Sequence, residues 1–175
     1  MPDQNLGPAL PSSPSKTPSN PPPSSNNNIY LSDVLGTSRS INIFAGFTRD
    51  FAPISQRFED ENLNTTILAP LNSAIMALPR KPWEDPADGG EGVYDAAGGE
   101  EKAQRNLMRF VEAHVVGVSP WEKGQRTKTL EGGEVWWEEK GGKKVIQPGD
   151  IEVDSVANQV HNGEVWILKG VRNYK

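Results

Sequence analysis

Cysteine is absent from the chain, which removes disulfides, thiol nucleophiles and thiolate metal sites together. It leaves the redox compartment open, because secreted domains of this size also fold without bridges. Histidine is scarce: His114 and His161 are the only two, so a zinc site would need carboxylates, such as Glu112 and Glu164, to complete its ligands. No apolar run approaches the ~20 residues that cross a bilayer, which implies a soluble chain without a transmembrane segment. The opening MPDQNLGPAL has neither a basic n-region nor an apolar h-region, so no signal peptide is expected within these residues. Positive charge is also short, with 18 Lys and Arg against 23 Asp and Glu. A net charge of -5 without a basic stripe argues against nucleic acid as a partner, since phosphate-backbone binders concentrate cations on one face. No serine stands in a nucleophile elbow, GGKK lacks the spacing and the Ser/Thr of a phosphate loop, and there is no dinucleotide fingerprint. No cofactor is implied, and the motifs speak against an enzyme.

What is present divides the 175 residues in two. Residues 1–28 hold eight of the fifteen prolines with many Ser and Asn. Too few apolar side chains accompany them to offset the entropy of ordering, so a disordered tail is expected there. A Ser/Thr/Pro stalk bearing O-linked sugars is the sharper reading of the same composition. Residues 29–175 are expected to form one domain, since this length supports a single core.

Within that domain, apolar clusters at helical spacing (Leu31, Val34, Leu35; Ile41, Phe44, Ala45, Phe47; Ile54, Phe58) predict two or three short helices, with Ser32 and Ser40 as N-caps. TTILA, residues 65–69, is a predicted strand. Pro70 lacks the donor to continue a ladder, and Asn72 is expected to cap the helix SAIMAL that follows. Between Pro82 and Glu101 lie seven acidic residues and no basic one, which reads as a long solvated loop rather than a calcium loop. EEKAQRNLMRFVEAHVVG gives the strongest helix, with Ala103, Leu107, Phe110, Val111 and His114 on one face. RTKTL, EVWWEE, KKVIQ, IEVDSVA and EVWILKGV are predicted strands, and Gly141–Gly142 supplies a primed hairpin turn. Helices first and strands last indicate an α+β domain in which TTILA pairs with the late strands. Leu68, Phe110 and Ile167 are expected to share one dry interior.

Side chains that could carry function are few. His114, on an apolar helix face, reads as a buried neutral ring donating to a backbone carbonyl. His161 precedes the turn dipeptide Asn162–Gly163. Trp136 and Trp137 must point to opposite sheet faces, so one enters the core and the other is partly exposed. Exposed tryptophans stack on sugars, so Trp136, Trp137 and Trp166 are candidate partner surfaces. Trp83 and Trp121, each beside a proline, read as loop anchors. Asn64 opens the one acceptor sequon, NTT, usable only in the secretory pathway.

Three motifs in register carry a family resemblance. TTILAPLNSAIMAL resembles the first motif of fasciclin-like domains, LMRFVEAHVVG resembles their central helix ending in His-Val-Val, and NQVHNGEVWILKGV is similar to their closing motif around Asn-Gly. They span about residues 30–172, and LPRKPWEDP looks like the fungal branch. The resemblance implies a wedge-shaped β-sandwich flanked by short α-helices, with Pro70, Asn72, His114, Asn162 and Gly163 as structural motif positions. It implies a non-enzymatic adhesion or interaction module of a secreted, cell-wall or vacuolar protein, monomeric, with a protein or wall polysaccharide as partner. Ala113 stands where a tyrosine often precedes the central histidine, and Trp166 replaces the histidine of the closing motif. The resemblance therefore gives no support here for the integrin contacts of animal relatives. Two alternatives stand beside it: a carbohydrate-binding module using Trp136, Trp137 or Trp166, and a metal-dependent hydrolase built on His114 and His161.

Overall fold

The computed structural model describes residues 28–84 and 96–172. The predicted tail and most of the acidic loop lie outside these residues.

Among the described residues five helices and seven strands follow one another. α1 (Leu31–Val34), α2 (Asn42–Arg49) and α3 (Ala52–Glu59) precede strand β1 (Thr65–Pro70), which turns at Leu71 into α4 (Asn72–Met76). Two 3-10 turns, Leu35–Thr37 and Arg39–Ile41, join α1 to α2. The long helix α5 (Ala96–Glu112) leads into β2 (Val115–Val116), β3 (Thr127–Lys128), β4 (Glu134–Lys140), β5 (Lys143–Gln147), β6 (Ile151–Val160) and β7 (Gly163–Leu168). α5 begins five residues before Glu101, inside the stretch predicted as loop. Its last helical residue is Glu112, so His114 lies beyond the helix.

The strands run in the order β2-β1-β7-β6-β5-β4-β3. An isolated antiparallel bridge between Val116 and Thr129 brings the two ends of that order together, so the layers of the expected sandwich are halves of one sheet curled nearly into a barrel. β1 and β7, second and third in that order, are parallel neighbours, and the remaining pairs are antiparallel. Gly141 (φ 60°) and Gly142 (φ 80°) form the β4–β5 turn, the left-handed pair that matches strand twist in a two-residue hairpin.

Alternation along the central strands sorts the apolar residues into two cores. Ile67 and Ala69 of β1 and Val165 and Ile167 of β7 face the helices, where Leu31, Phe44, Phe58, Phe110 and Val111 cover them. Leu68, Trp166 and Leu168 face the barrel interior with Trp121, Val135, Trp137 and Ile146. Leu68 is therefore in a different interior from Phe110 and Ile167, contrary to the single core expected. In the parallel register Leu68 lies opposite Trp166 and Ala69 opposite Ile167, and registered neighbours share a face. A strand buried on both faces reads as a continuous apolar run, which VWIL does.

Candidate functional site

His114 is fully buried two residues beyond the C-terminus of α5. The last carbonyls of a helix lack intrahelical partners, and the ring turns back to one of them: Nδ1 lies 2.7 Å from the Phe110 carbonyl. Nε2 accepts the backbone N–H of Arg172 at 3.0 Å, so the proton sits on Nδ1. The ring packs against Phe110 at 4.5 Å and Phe44 at 5.7 Å between centroids. Burial pushes its pKa down to about 3, against the Phe110 hydrogen bond, with the Arg172 charge adding to the depression. Arg172 completes the clip by donating from Nε to the Ala113 carbonyl at 3.0 Å. With both nitrogens committed and no exposed edge, this imidazole joins the end of α5 to the segment after β7 and has no proton to exchange with a substrate.

Asn162 and Gly163 form a second pin. The buried Asn162 amide accepts from the Leu31 N–H at 2.9 Å and donates to the carbonyls of Phe58 (2.8 Å) and Asp60 (3.2 Å). Its own carbonyl takes the Thr65 N–H at 2.9 Å. One side chain thus fastens α1 and α3 to the β6–β7 turn. Gly163 follows at φ 154°, where an added Cβ would overlap the Thr65 carbonyl oxygen. Only glycine lets β1 approach β7 so closely.

The β1–α4 junction is built differently from the sequence reading. Pro70 ends the strand, and the parallel ladder closes one residue later through the Leu71 N–H to Leu168 carbonyl bond at 2.9 Å. Asn72 does not cap its own helix: the N-cap residue is Leu71, with no side-chain cap. The Asn72 Oδ1 instead accepts the Ile43 N–H at 3.0 Å, in the first turn of α2, while Nδ2 donates to Arg39 O at 2.7 Å and Asn42 Oδ1 at 2.9 Å. A short polar side chain at the start of one helix here satisfies the open N-terminus of another, an alternative no local pattern distinguishes. Ser32 and Ser40 are not caps either: α1 starts from Tyr30, whose N–H is taken by Asp33 Oδ2, and Ser40 pairs with Ser38.

The tryptophans divide sharply. Trp166 (2% exposed) and Trp137 (7%) are interior residues and form no partner surface. Trp166 stacks on Trp121 at 5.4 Å and meets Trp137 edge-on at 5.6 Å, so Trp121 is a core residue rather than a loop anchor. The indole N–H of Trp137 donates to the Trp121 carbonyl and that of Trp121 to the Gln125 carbonyl, both at 2.9 Å, which satisfies two buried donors. The Lys144 ammonium lies 3.7 Å from the Trp137 ring centroid and closes this end of the cluster. Trp136, on the opposite face of β4, is half-buried with the Arg126 guanidinium 4.1 Å above its ring. Trp83 is 44% exposed and meets Phe47 edge-on at 6.4 Å, while Asn106 holds its carbonyl.

His161 sits exposed on the β6–β7 turn against Tyr30, at 5.8 Å between rings. Among the described residues no cluster of three His, Asp or Glu is placed to hold a metal ion. The outer charges are largely paired: Glu152 lies between Lys169 (2.8 Å) and Lys143 (2.9 Å), whose hydrogen bonds hold its carboxyl at about 2. Lys140 with Asp150 and Arg126 with Glu134 extend the pattern, which leaves no stripe of one sign on these strands. An open groove of about 450 Å³ runs between α3 and α5, lined by Pro53, Arg57, Leu63, Met108, Glu112 and Leu130. Burial, and then the charge of Glu131, raise the Glu112 carboxyl there, against the pull of Arg109. Asn64 is exposed and follows the groove residue Leu63 in the chain. No described helix is long and apolar enough to cross a membrane.

A curled seven-stranded sheet under a cap of short helices, with its motif polar side chains spent on internal pins, defines an α+β scaffold of the fasciclin type. The comparisons agree. No family model matches the chain, but a FAS1 domain-containing protein of Neurospora crassa is 56% identical over 175 aligned residues, covering 96% of this chain and 76% of that protein. One from Aspergillus fumigatus is 52% identical, over 83% of this chain and 64% of its own length, and one from Emericella nidulans is 47% identical, over 85% and 63%. The chain therefore spans 63–76% of these relatives' lengths. Among solved structures, a FAS1 domain pair from the insect cell adhesion molecule fasciclin I superposes with a TM-score of 0.55 at 10% identity, over 82% of this chain and half of that one, a likeness of fold. The chain belongs to the FAS1 domain family.

Proposed function

We propose that this protein is a non-enzymatic interaction domain that binds a protein or wall-polysaccharide partner as a monomer in the secretory pathway, at the cell wall, in the vacuole or outside the cell. The observation that supports it most is the fate of the motif residues. His114, Asn162, Gly163 and Asn72 all hold one element to another and leave no reactive group facing solvent. A domain whose motifs go into rigidity offers a shaped surface rather than a reaction centre. The adhesion molecule that shares the fold, and the fungal relatives, support the same reading. The bridge that nearly closes the sheet shortens its free edges, which supports a chain that does not pair edge-to-edge with copies of itself.

Contacts with a partner fall to exposed side chains, of which Trp83 and Met76 (67% exposed) are the largest apolar ones. The carbohydrate reading keeps only Trp136 of its three tryptophans, and Arg126 already covers one face of that ring. Binding of the full chain to fractionated wall proteins and wall polysaccharides tests the proposal. Retention that is lost in W83A or M76A, with an unchanged near-ultraviolet spectrum, is the expected result. Turnover of a wall substrate by the purified chain would overturn it.

A further inference from the structure

We propose that Asn64 is an N-glycan acceptor that is filled only before β1 becomes enclosed in the sheet. The inference rests on the secretory reading above. Asn64 is exposed, stands just ahead of β1, and no described group hydrogen-bonds its side-chain amide. Its backbone carbonyl alone is engaged, by the Arg57 guanidinium at 3.3 Å. Substituting the side-chain nitrogen thus costs the fold no internal hydrogen bond.

The rest of the sequon is in the opposite condition. Thr65 and Thr66 are fully buried, and the Thr66 hydroxyl donates to the Val118 carbonyl at 2.6 Å. In the finished fold the hydroxyl that a transferase must read points into the protein, and the strand is held between β2 and β7. Both neighbours lie downstream, β2 about 50 and β7 about 100 residues after Asn64. At ~5–20 residues per second of synthesis, β7 is complete on the order of 5–20 s after the sequon is made. β1 cannot be enclosed before then, so chain topology itself keeps the sequon open while the polypeptide enters the lumen.

The step joins Asn64 Nδ2 to C1 of the first sugar of a lipid-pyrophosphate-linked oligosaccharide. The C1–O bond to the pyrophosphate breaks, the lipid pyrophosphate leaves with that electron pair, and the amide nitrogen gives up one proton to a transferase base.

The test has two arms. The 175-residue chain directed into a fungal secretory pathway behind a cleavable leader should carry one N-glycan by intact mass, removed by an endoglycosidase and absent in N64Q. The same chain made without sugar in bacteria is then offered to fungal microsomes with a lipid-pyrophosphate chitobiose donor. The folded chain should stay unmodified, while L68D, which keeps the sequon but not the fold, should be modified at least tenfold more. A secreted chain with bare Asn64, or a folded chain accepted as readily as L68D, would overturn the proposal while leaving the secretory reading intact. Fractionation of the source organism that finds the chain in the cytosol would instead remove the secretory reading, and natural occupancy with it.

Discussion

The backbone N–H of Arg172 donates to Nε2 of His114 over 3.0 Å, although 58 positions separate the two residues in the chain. That bond fixes the imidazole as an acceptor on one side and a donor to Phe110 on the other, a state incompatible with a second proton. Stability should therefore depend on acidity in a definite sense.

The folded pKa of His114 is about 3, below the 6.5 of a free imidazole. The unfolded chain binds more protons in that interval, so stability is full above pH 6.5 and declines as pH falls toward 3, by up to about 1.4 kcal/mol per unit. Urea melts at pH 7.5, 6, 5 and 4 should show this slope. H114N should be less stable at pH 7.5 and flatter below it. A wild-type profile as flat as that of the variant would contradict the burial argument.

Gly163→Ala places a methyl group against the Thr65 carbonyl at a φ that disfavours any side chain. Separating β1 from β7 to relieve it should cost about 3 kcal/mol or more. The urea midpoint reads this directly. Gly124, also at positive φ but with open space around it, serves as the control and should lose about 1 kcal/mol on the same change.

Asn162→Ala strands one donor and two acceptors in the interior, with an expected loss of about 2–4 kcal/mol. Hydrogen exchange should accelerate most at the Leu31 amide, whose acceptor disappears. Uniform acceleration across the domain would mean that Asn162 is not a local pin.

Trp166→Leu should cost about 3–5 kcal/mol by opening a cavity beside Trp121 and Trp137. The 5.4 Å stack of Trp121 on Trp166 should give coupled near-ultraviolet circular dichroism bands that vanish in the variant. Adding wall polysaccharide should leave those bands unmoved, because neither ring reaches solvent.

Leu68→Asp buries an unpaired charge among Trp166, Val116 and Ile146 and should abolish the cooperative melt. A normal melting curve would remove β1 from the centre of the sheet.

The sequence made the α+β class, the strand-then-helix order of β1 and α4, the Gly141–Gly142 hairpin and the burial of His114 legible, because each follows from local patterning of apolar and turn residues. What escaped it depends on contacts made far along the chain. Asn72 looks like the cap of its own helix, and only the arrival of α2 diverts its amide to Ile43. Trp166 reads as a surface candidate wherever one face of a strand is assumed wet. β7 has helices on one face and the barrel interior on the other, so alternation carries no information about solvent there. The unbroken apolar run VWIL was the available signal. The same two-sided burial placed Leu68 and Ile167 in separate cores.

The parallel pairing of β1 with β7 also bears on how such a domain carries load. Thr65 lies beside Gly163 and Pro70 beside Leu168, so the chain enters the ladder and leaves it at opposite ends. A pull exerted on the start of one strand and the finish of the other slides them lengthwise, and the six registered pairs resist together instead of parting one by one. Against a force in that direction this pair of strands is the mechanical clamp of the sheet.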